Sequence, residues 1–283
     1  MPRLAVIGFP VGHSRSPAMQ NAALQALGLA DEWRYEAIEV APEEFEARVR
    51  AMPGEGFVGA NVTVPHKLAA LAIADVASEM ASEIGAANTL IFRPQGIEAH
   101  NSDAGGLIAS LPVHPAGQRA LVLGAGGAAR AAVWALAKVG ASVEIWNRTP
   151  ARAETIRFEV TERAQELEVS IEVGTVEAER PPELDQSVYG LIVNTTAVGL
   201  HGEDPFAHLP LRRDGFRPGQ VVVDMVYGDA PSPLLAVAAE AGASAVDGIE
   251  VLVQQGAISL QVWTDREPPV DVMRAAARGD AHR

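Results

Sequence analysis

The chain has no cysteine, which excludes disulfides and thiolate metal sites. Positive charge is scarce: 22 Lys and Arg face 36 Asp and Glu, giving a formal net charge of −14 with the acids spread along the chain. Sequence-independent nucleic-acid binding needs a basic face, so no nucleic-acid partner is expected. No stretch approaches the roughly 18 to 20 unbroken apolar residues of a membrane span. The opening "MPRLAVIGFPVGHS" lacks the basic start and longer apolar segment of a signal peptide. The seven histidines do not pair at helical or zinc-finger spacing, and His13, His66 and His100 fall in separate loops. No metal is expected. An acidic protein of the cytoplasm, away from membranes, is.

What is present is length and rhythm. At 283 residues, 48% of them hydrophobic, the chain can bury the cores of two modest domains. "RLAVIGF" (3–9), "WRYEAIEV" (33–40) and "FVGANVTV" (57–64) read as strands, with helices opening at Ser16-Pro17, Pro42 and about His66. "AANTLIF" and "GIEAHNS" read as a pair of short strands. A second alternation follows the loop "PVHPAGQ": "RALVLG" (119–124), a helix stopped at Gly140, "SVEIWN", a helix over 150–166, then "YGLIVNTT" and "QVVVDMVY". Strand–helix–strand order implies an α/β fold with a parallel sheet and right-handed crossovers. Residues 248–278 read as mostly helical and able to pack back on the first domain. The expected organisation is a discontinuous first domain, 1–103 plus 248–283, around a second at 104–247.

"LVLGAGGAARAAVWAL" places Gly124-x-Gly126-x-x-Ala129 between an apolar strand and a helix. Gly124 permits the tight turn, Gly126 lets backbone approach a pyrophosphate, and Ala129 lets helix and strand pack closely. The helix N-terminus then offers free N–H groups to the phosphates. In this context a dinucleotide-binding turn is the better reading than an ordinary glycine turn.

The next strand ends at Trp146, about 20 residues on, where ribose recognition belongs. A carboxylate there would accept from a 2′-hydroxyl and repel a 2′-phosphate. The side chains on offer are instead Asn147, Arg148, Thr149 and Arg152. Cations at a helix start oppose the dipole, so an anionic partner accounts for the arginines better than solvent does. Charge-assisted bonds to a 2′-phosphate make NADP(H), not NAD, the expected cofactor. Repulsion by the net charge is screened beyond about 8 Å at physiological salt, so binding rests on short-range donors.

Short polar groups gather at other strand ends: Ser14 and Ser16 in "GHSRSP", Thr63 and Lys67 in "NVTVPHK", Asn88 in "GAANTL", Asp103 in "HNSDAGG", Tyr227 in "DMVYG" and Gln255 in "VLVQQGA". That suits a small anionic ligand with many hydroxyls at the carboxyl edge of a sheet. Each residue also has a plain structural role on its own. Ser16 before Pro17 fits a helix N-cap, Asp103 could cap "AGGLIAS", Lys67 and Gln255 suit solvent, Asn88 a turn, and Tyr227 packing.

Taken together, "GFPVGHSRSP", "NVTVPHK", "GAANTL", "NSD", "GAGGAAR", "NRTPAR", "NTTAVG", "VVVDMVY" and "VLVQQGA" resemble the shikimate dehydrogenase family nearly end to end. The resemblance implies reversible NADPH-dependent reduction of 3-dehydroshikimate to shikimate in the cytoplasmic route to aromatic amino acids. It implies an N-terminal α/β substrate-binding domain and a Rossmann-like NADP-binding domain separated by a cleft, and leaves a homodimer open. It implies that Ser14, Ser16 and Tyr227 bind the substrate carboxylate with Thr63 nearby. Lys67, Asn88, Asp103 and Gln255 would hold the ring hydroxyls, with Lys67 and Asp103 as the catalytic pair. Cofactor contacts are implied for Gly124, Ala125, Gly126, Gly127, Ala128, Asn147, Arg148, Thr149, Arg152, Thr195, Met225 and Gly248. An ammonium at Lys67 can stabilise a developing oxyanion and deliver a proton. Whether Asp103 shares in the transfer or only orients Lys67 is open.

Arg15, Ser102, Ala197, Asp229, Ser232 and Val251 depart from the family's usual residues, and none removes a catalytic group. Quinate or an amino-substituted shikimate is the alternative substrate. A non-catalytic NADP-binding sensor is the remote alternative; it would be expected to lose Lys67 or Asp103, and both are present.

Overall fold

The first alternating stretch forms β1 (Arg3–Gly8), β2 (Arg34–Glu39), β3 (Phe57–Val62), β4 (Val76–Ala77), β5 (Thr89–Arg93) and β6 (Gly96–His100). They join in the order β2-β1-β3-β5-β6-β4. The structure is a computed structural model and describes residues 1–176, 184–228 and 232–279; Asp229 lies outside the described residues. β1 pairs in parallel with β2 and β3, but β5 runs antiparallel to both β3 and β6. The sheet is therefore mixed. The reason is local: β5 and β6 are joined by two residues, too few for the crossover a parallel pair needs. α1 (Ser16–Ala26), α2 (Phe45–Ala51), α3 (Lys67–Ala72), α4 (Glu79–Ile84) and α5 (Asp103–Ser110) complete this stretch.

The second alternation builds β7 (Arg119–Leu123), α6 (Gly127–Lys138), β8 (Ser142–Trp146), α7 (Pro150–Glu166) and β9 (Glu172–Thr175). It continues through β10 (Leu191–Asn194), α8 (Pro205–His208), β11 (Val221–Asp224), α9 (Pro233–Glu240) and β12 (Ser244–Asp247). This sheet has the order β12-β11-β10-β7-β8-β9, and every pair is parallel. The chain winds outward one way from β7 and the other way from β10. Their junction is a topological switch point, where a crevice opens beyond the carboxyl ends of the strands.

Burial follows the topology. β10 and β11 are buried at every residue, as parallel strands covered on both faces must be, while in edge strand β2 only Tyr35 is buried. Phe45, Val62 and Leu90 anchor the first core; Leu121, Ile192 and Val222 anchor the second. Each fully buried side chain of this kind contributes roughly 1.5–3 kcal/mol against exposure.

The final segment is two helices, α10 (Gly248–Thr264) and α11 (Val270–Arg278), broken at Pro268-Pro269. Two compact units result: Met1–Gly106 with the chain from Leu252 onward, and Leu107–Val251. The divisions fall inside α5 and α10, three residues after Asp103 and four after Asp247. α10 docks on the first sheet through Trp263, whose indole N–H donates to the Leu90 carbonyl at 3.0 Å. A side chain at Gly59 would collide with that indole. No described helix is long and apolar enough to cross a membrane.

Candidate active site

In the first unit the polar residues at the strand ends are brought together by backbone ties. Thr63, just past β3, donates its N–H to the Ile7 carbonyl at 2.8 Å, and the Lys67 carbonyl accepts from Ala87 N–H at 2.9 Å. Asp103 opens α5, yet it does not cap that helix. The Asn101 side chain does, accepting from Ala104 N–H at 3.3 Å while its own amide donates to the Ala86 carbonyl at 2.9 Å. The Asp103 carboxylate is left for other partners. Lys67 Nζ donates to its Oδ2 at 2.6 Å, and Asn88 Nδ2 donates to its Oδ1 at 2.9 Å. With side chains only 11% and 13% exposed, the Lys67–Asp103 pair is shielded from water. Such a pair adds little net stability, but removing one partner strands the other charge at about 3–5 kcal/mol.

Gln255 reaches this pair because α10 lies against α5 at Gly106, where a Cβ would sit 2.6 Å from that of Gln255. Its Oε1 lies 3.2 Å from Asn88 Nδ2, and its own amide donates to the Leu252 carbonyl at 2.8 Å. Behind Asn88 and Gln255 is a layer of small polar groups absent from the sequence-derived set. Thr89, Ser102 and Ser259 place their hydroxyls 2.9–3.3 Å from one another. Asn61 donates to Ser259 at 2.9 Å and accepts from Tyr35 Oη at 2.8 Å. All but Tyr35 could have been sought by spacing. Ser259 is one helical turn after Gln255, and Asn61 shares a strand end with Thr63.

Ser14 and Ser16 are at the start of α1. Ser16 is the first helical residue and not its N-cap; the Ser14 hydroxyl accepts from Ser16 N–H at 3.3 Å. Among the described residues no side-chain hydrogen bond joins Ser14, Ser16 or Thr63 to the Lys67 cluster. Tyr227 follows β11 in the second unit. His66, beside Lys67, is a core residue. Its ring stacks on Phe45 at 4.4 Å and shares a hydrogen bond with the Val40 carbonyl at 2.8 Å. Burial pushes its pKa below the ordinary histidine value, against the opposing pull of that carbonyl.

In the second unit the glycine turn sits at the switch point. Gly124 has φ +117°, and a Cβ there would lie 2.5 Å from Thr195 Oγ1, so only glycine fits. Thr195 in turn donates to the Leu123 carbonyl at 2.8 Å, linking the ends of β7 and β10. Gly126 caps α6 with open space where its side chain would be, while Ala129 is fully buried against the sheet. An open backbone at a helix N-terminus fits a pyrophosphate. Gly248 is equally constrained, with Met225 O only 2.5 Å from its notional Cβ.

A cavity of about 380 Å³ lies beside this turn, lined by Trp146, Asn147, Arg148, Thr196, Ala197 and His201 among others. Arg148, Thr149 and Arg152 are exposed at the start of α7, and Asn147 bonds the Thr149 carbonyl at 2.9 Å. Thr149 holds the N-cap position without a side-chain capping bond. The arginine ion pairs on this helix begin further along, with Arg157 and with Glu159 to Arg130. Neither Arg148 nor Arg152 is neutralised by an acid among the described residues, the arrangement an incoming phosphate requires. Asp224, at the end of β11, is a further polar residue outside the sequence-derived set. It accepts from Asn194 at 2.9 Å, from Val226 N–H at 3.1 Å and from the Ser232 hydroxyl. Burial raises its carboxyl pKa, and those three donors partly offset the rise.

Two family models match the chain. The shikimate dehydrogenase substrate-binding domain matches residues 6–90, and the shikimate 5′-dehydrogenase C-terminal domain matches 248–278. A shikimate dehydrogenase (NADP(+)) of Anaeromyxobacter sp. strain Fw109-5 is 44% identical over 96% of this chain and 94% of its own. Among solved structures, shikimate 5-dehydrogenase from Thermus thermophilus, in complex with NADP(H) and shikimate, superposes with TM-score 0.82. It is 37% identical over 99% of this chain and all of its own length (100%). The ligand-free 5-ketofructose reductase of Gluconobacter sp. strain CHM43 superposes with TM-score 0.85 at 30% identity, covering 98% of each chain.

Proposed function

Because the chain belongs to the shikimate dehydrogenase family, we propose that it catalyses the reversible, NADP-dependent interconversion of 3-dehydroshikimate and shikimate. In this reading a domain of residues 1–103 plus 248–283, nearly the first unit, binds and transforms the substrate, and one of 104–247, nearly the second, binds NADP(H). The observation that carries it is the shielded Lys67–Asp103 pair, 2.6 Å apart, with Asn88 and Gln255 beside it.

A bound NADPH supplies the hydride. The chain's own residues handle the ring and the proton. As the ketone carbon is reduced its oxygen gains negative charge. Lys67, held by Asp103 in a site sparing in water, donates a hydrogen bond to that oxygen and then the proton. In the oxidative direction the neutral amine takes it back. Asp103 keeps Nζ aimed and accepts from a ring hydroxyl, while Asn88 and Gln255 fix the other hydroxyls. Ser14, Ser16 and Tyr227 hold the carboxylate with Thr63 nearby. At the other end, Arg148 and Arg152 meet the 2′-phosphate, with Asn147 and Thr149 beside them. The glycine turn from Gly124 to Ala128 takes the pyrophosphate, and Thr195, Met225 and Gly248 border the nicotinamide half. A cytoplasmic enzyme without nucleic-acid partners accords with the acidic charge, and a homodimer is compatible with it.

A spectrophotometric assay with shikimate, quinate or 5-ketofructose against NADP(H) and NAD(H) tests this directly. Preferred turnover of shikimate with NADP⁺ is expected. Preference for another substrate, or for NAD⁺, would overturn the corresponding half of the assignment.

A further inference from the structure

The hydroxyls of Thr89, Ser102 and Ser259 form a closed cluster with more partners than protons. Ser259, on α10 and fully buried, has one proton and two lone pairs. Around its oxygen lie Asn61 Nδ2 at 2.9 Å, Thr89 Oγ1 at 2.9 Å, Ser102 Oγ at 3.0 Å and the Gln255 carbonyl at 3.1 Å. The first must donate and the last must accept, so one lone pair remains for either Thr89 or Ser102.

Asn88 is over-subscribed in the same way. Its Oδ1 is fixed by Ser102 N–H at 2.7 Å, which sets the amide orientation. The two protons of Nδ2 then face three acceptors: Ser102 Oγ and Asp103 Oδ1, each at 2.9 Å, and Gln255 Oε1 at 3.2 Å. Ser102 can relieve this shortage by turning its own proton to Gln255 Oε1, 3.2 Å away; its other acceptor there, Asn88 Oδ1 at 3.2 Å, has both lone pairs taken when Ser102 N–H and the Thr89 hydroxyl donate to it. When Ser259 takes the Ser102 proton, Thr89 covers Asn88 Oδ1 at 3.1 Å and Gln255 Oε1 is left short of a donor. A ring hydroxyl entering the site can supply it.

We propose that Ser259 is a positioning residue for the substrate: by drawing the Ser102 proton away from the site, its hydroxyl keeps Gln255 Oε1 available to a ring hydroxyl. Ser259 touches no reacting atom. The inference rests on the shikimate assignment above and adds a residue to it that acts from behind the amides.

The test compares steady-state kinetics of Ser259→Ala, Ser259→Thr and Ser259→Val with the unaltered chain. In Ser259→Ala the Ser102 proton turns to Gln255. The KM for shikimate should rise roughly three- to tenfold, the worth of one neutral hydrogen bond, with a smaller fall in kcat and no change in KM for NADP⁺. Threonine and valine crowd the buried position equally and differ in the hydroxyl alone. Thr should therefore recover most of the shikimate affinity relative to Val. If neither larger variant folds, the near-isosteric Thr89→Val removes the competing donor and should leave the Ser102 proton on Ser259, with shikimate KM unchanged or lower. Ser259→Ala with an unaltered shikimate KM, matching KM values for Thr and Val, or a raised KM in Thr89→Val would each overturn the inference alone. An unaltered chain that turns over no shikimate with NADP⁺ would overturn the functional assignment and this inference with it.

Discussion

The two units present opposite kinds of polar site. Around Asn88 the first unit is a dry lattice of neutral groups, each within hydrogen-bond reach of the next, arranged about one shielded ion pair. The start of α7 in the second unit is open, with Arg148 and Arg152 exposed and no acid among the described residues committed to either. A ligand distinguished by the placement of hydroxyls requires acceptors and donors fixed in advance, because a misplaced neutral bond is worth little. A ligand distinguished by a doubly charged phosphate tolerates mobile side chains, because charge-assisted bonds act over a broader range of geometries. Damage should therefore differ in character between the two sites.

The largest effect should come from the dry site. Lys67→Ala removes the proposed proton donor and should lower kcat on the order of 10²–10⁴-fold, with circular dichroism unchanged and NADP⁺ affinity intact by fluorescence titration. Near-normal turnover in a folded variant would break the catalytic assignment. Next, Arg148→Ala combined with Arg152→Ala should raise the KM for NADP⁺ on the order of 100-fold. The KM values for NAD⁺ and shikimate should barely move, and equal losses for both cofactors would erase the contrast drawn here. Gly124→Ala forces a side chain into a left-handed turn against Thr195. It should cost roughly 1–3 kcal/mol of stability and weaken both dinucleotides alike, read by thermal melting and by KM.

The smallest effect concerns pH. Burial holds the folded-state pKa of His66 below its unfolded value of 6.5, so below that pH the unfolded chain binds more protons. Its contribution is complete above about pH 6.5 and is lost as the pH falls through the lowered folded value. The melting temperature should drop by a few degrees on acidification, and the drop should be shallower in His66→Asn. A slope unchanged by that substitution would assign the acid sensitivity to carboxylates instead.

Features with a local cause were readable in advance. α7 runs Pro150–Glu166, the interval its opening proline and apolar period mark out. The segment read as mostly helical is two helices, α10 and α11, with Pro268-Pro269 between them. Ser16 misled because a serine before proline carries the same local signal whether it caps the helix or begins it. The two-residue β4 had no such signal, nor had the antiparallel pairing of β5 with β3, since both depend on strands distant in sequence.

The sequence by itself determined the alternating α/β order, the glycine turn, the arginines past β8 and the polar residues at the strand ends, because each is a matter of residue type at short spacing. Only the tertiary structure decided that Asn101 caps α5, that Asp103 is thereby left to Lys67, and that Ser259 meets Ser102 and Thr89 across 157 and 170 residues. Hydrogen bonds form between groups within about 3 Å, and which groups come that close is settled by packing α10 against the sheet, not by their order along the chain.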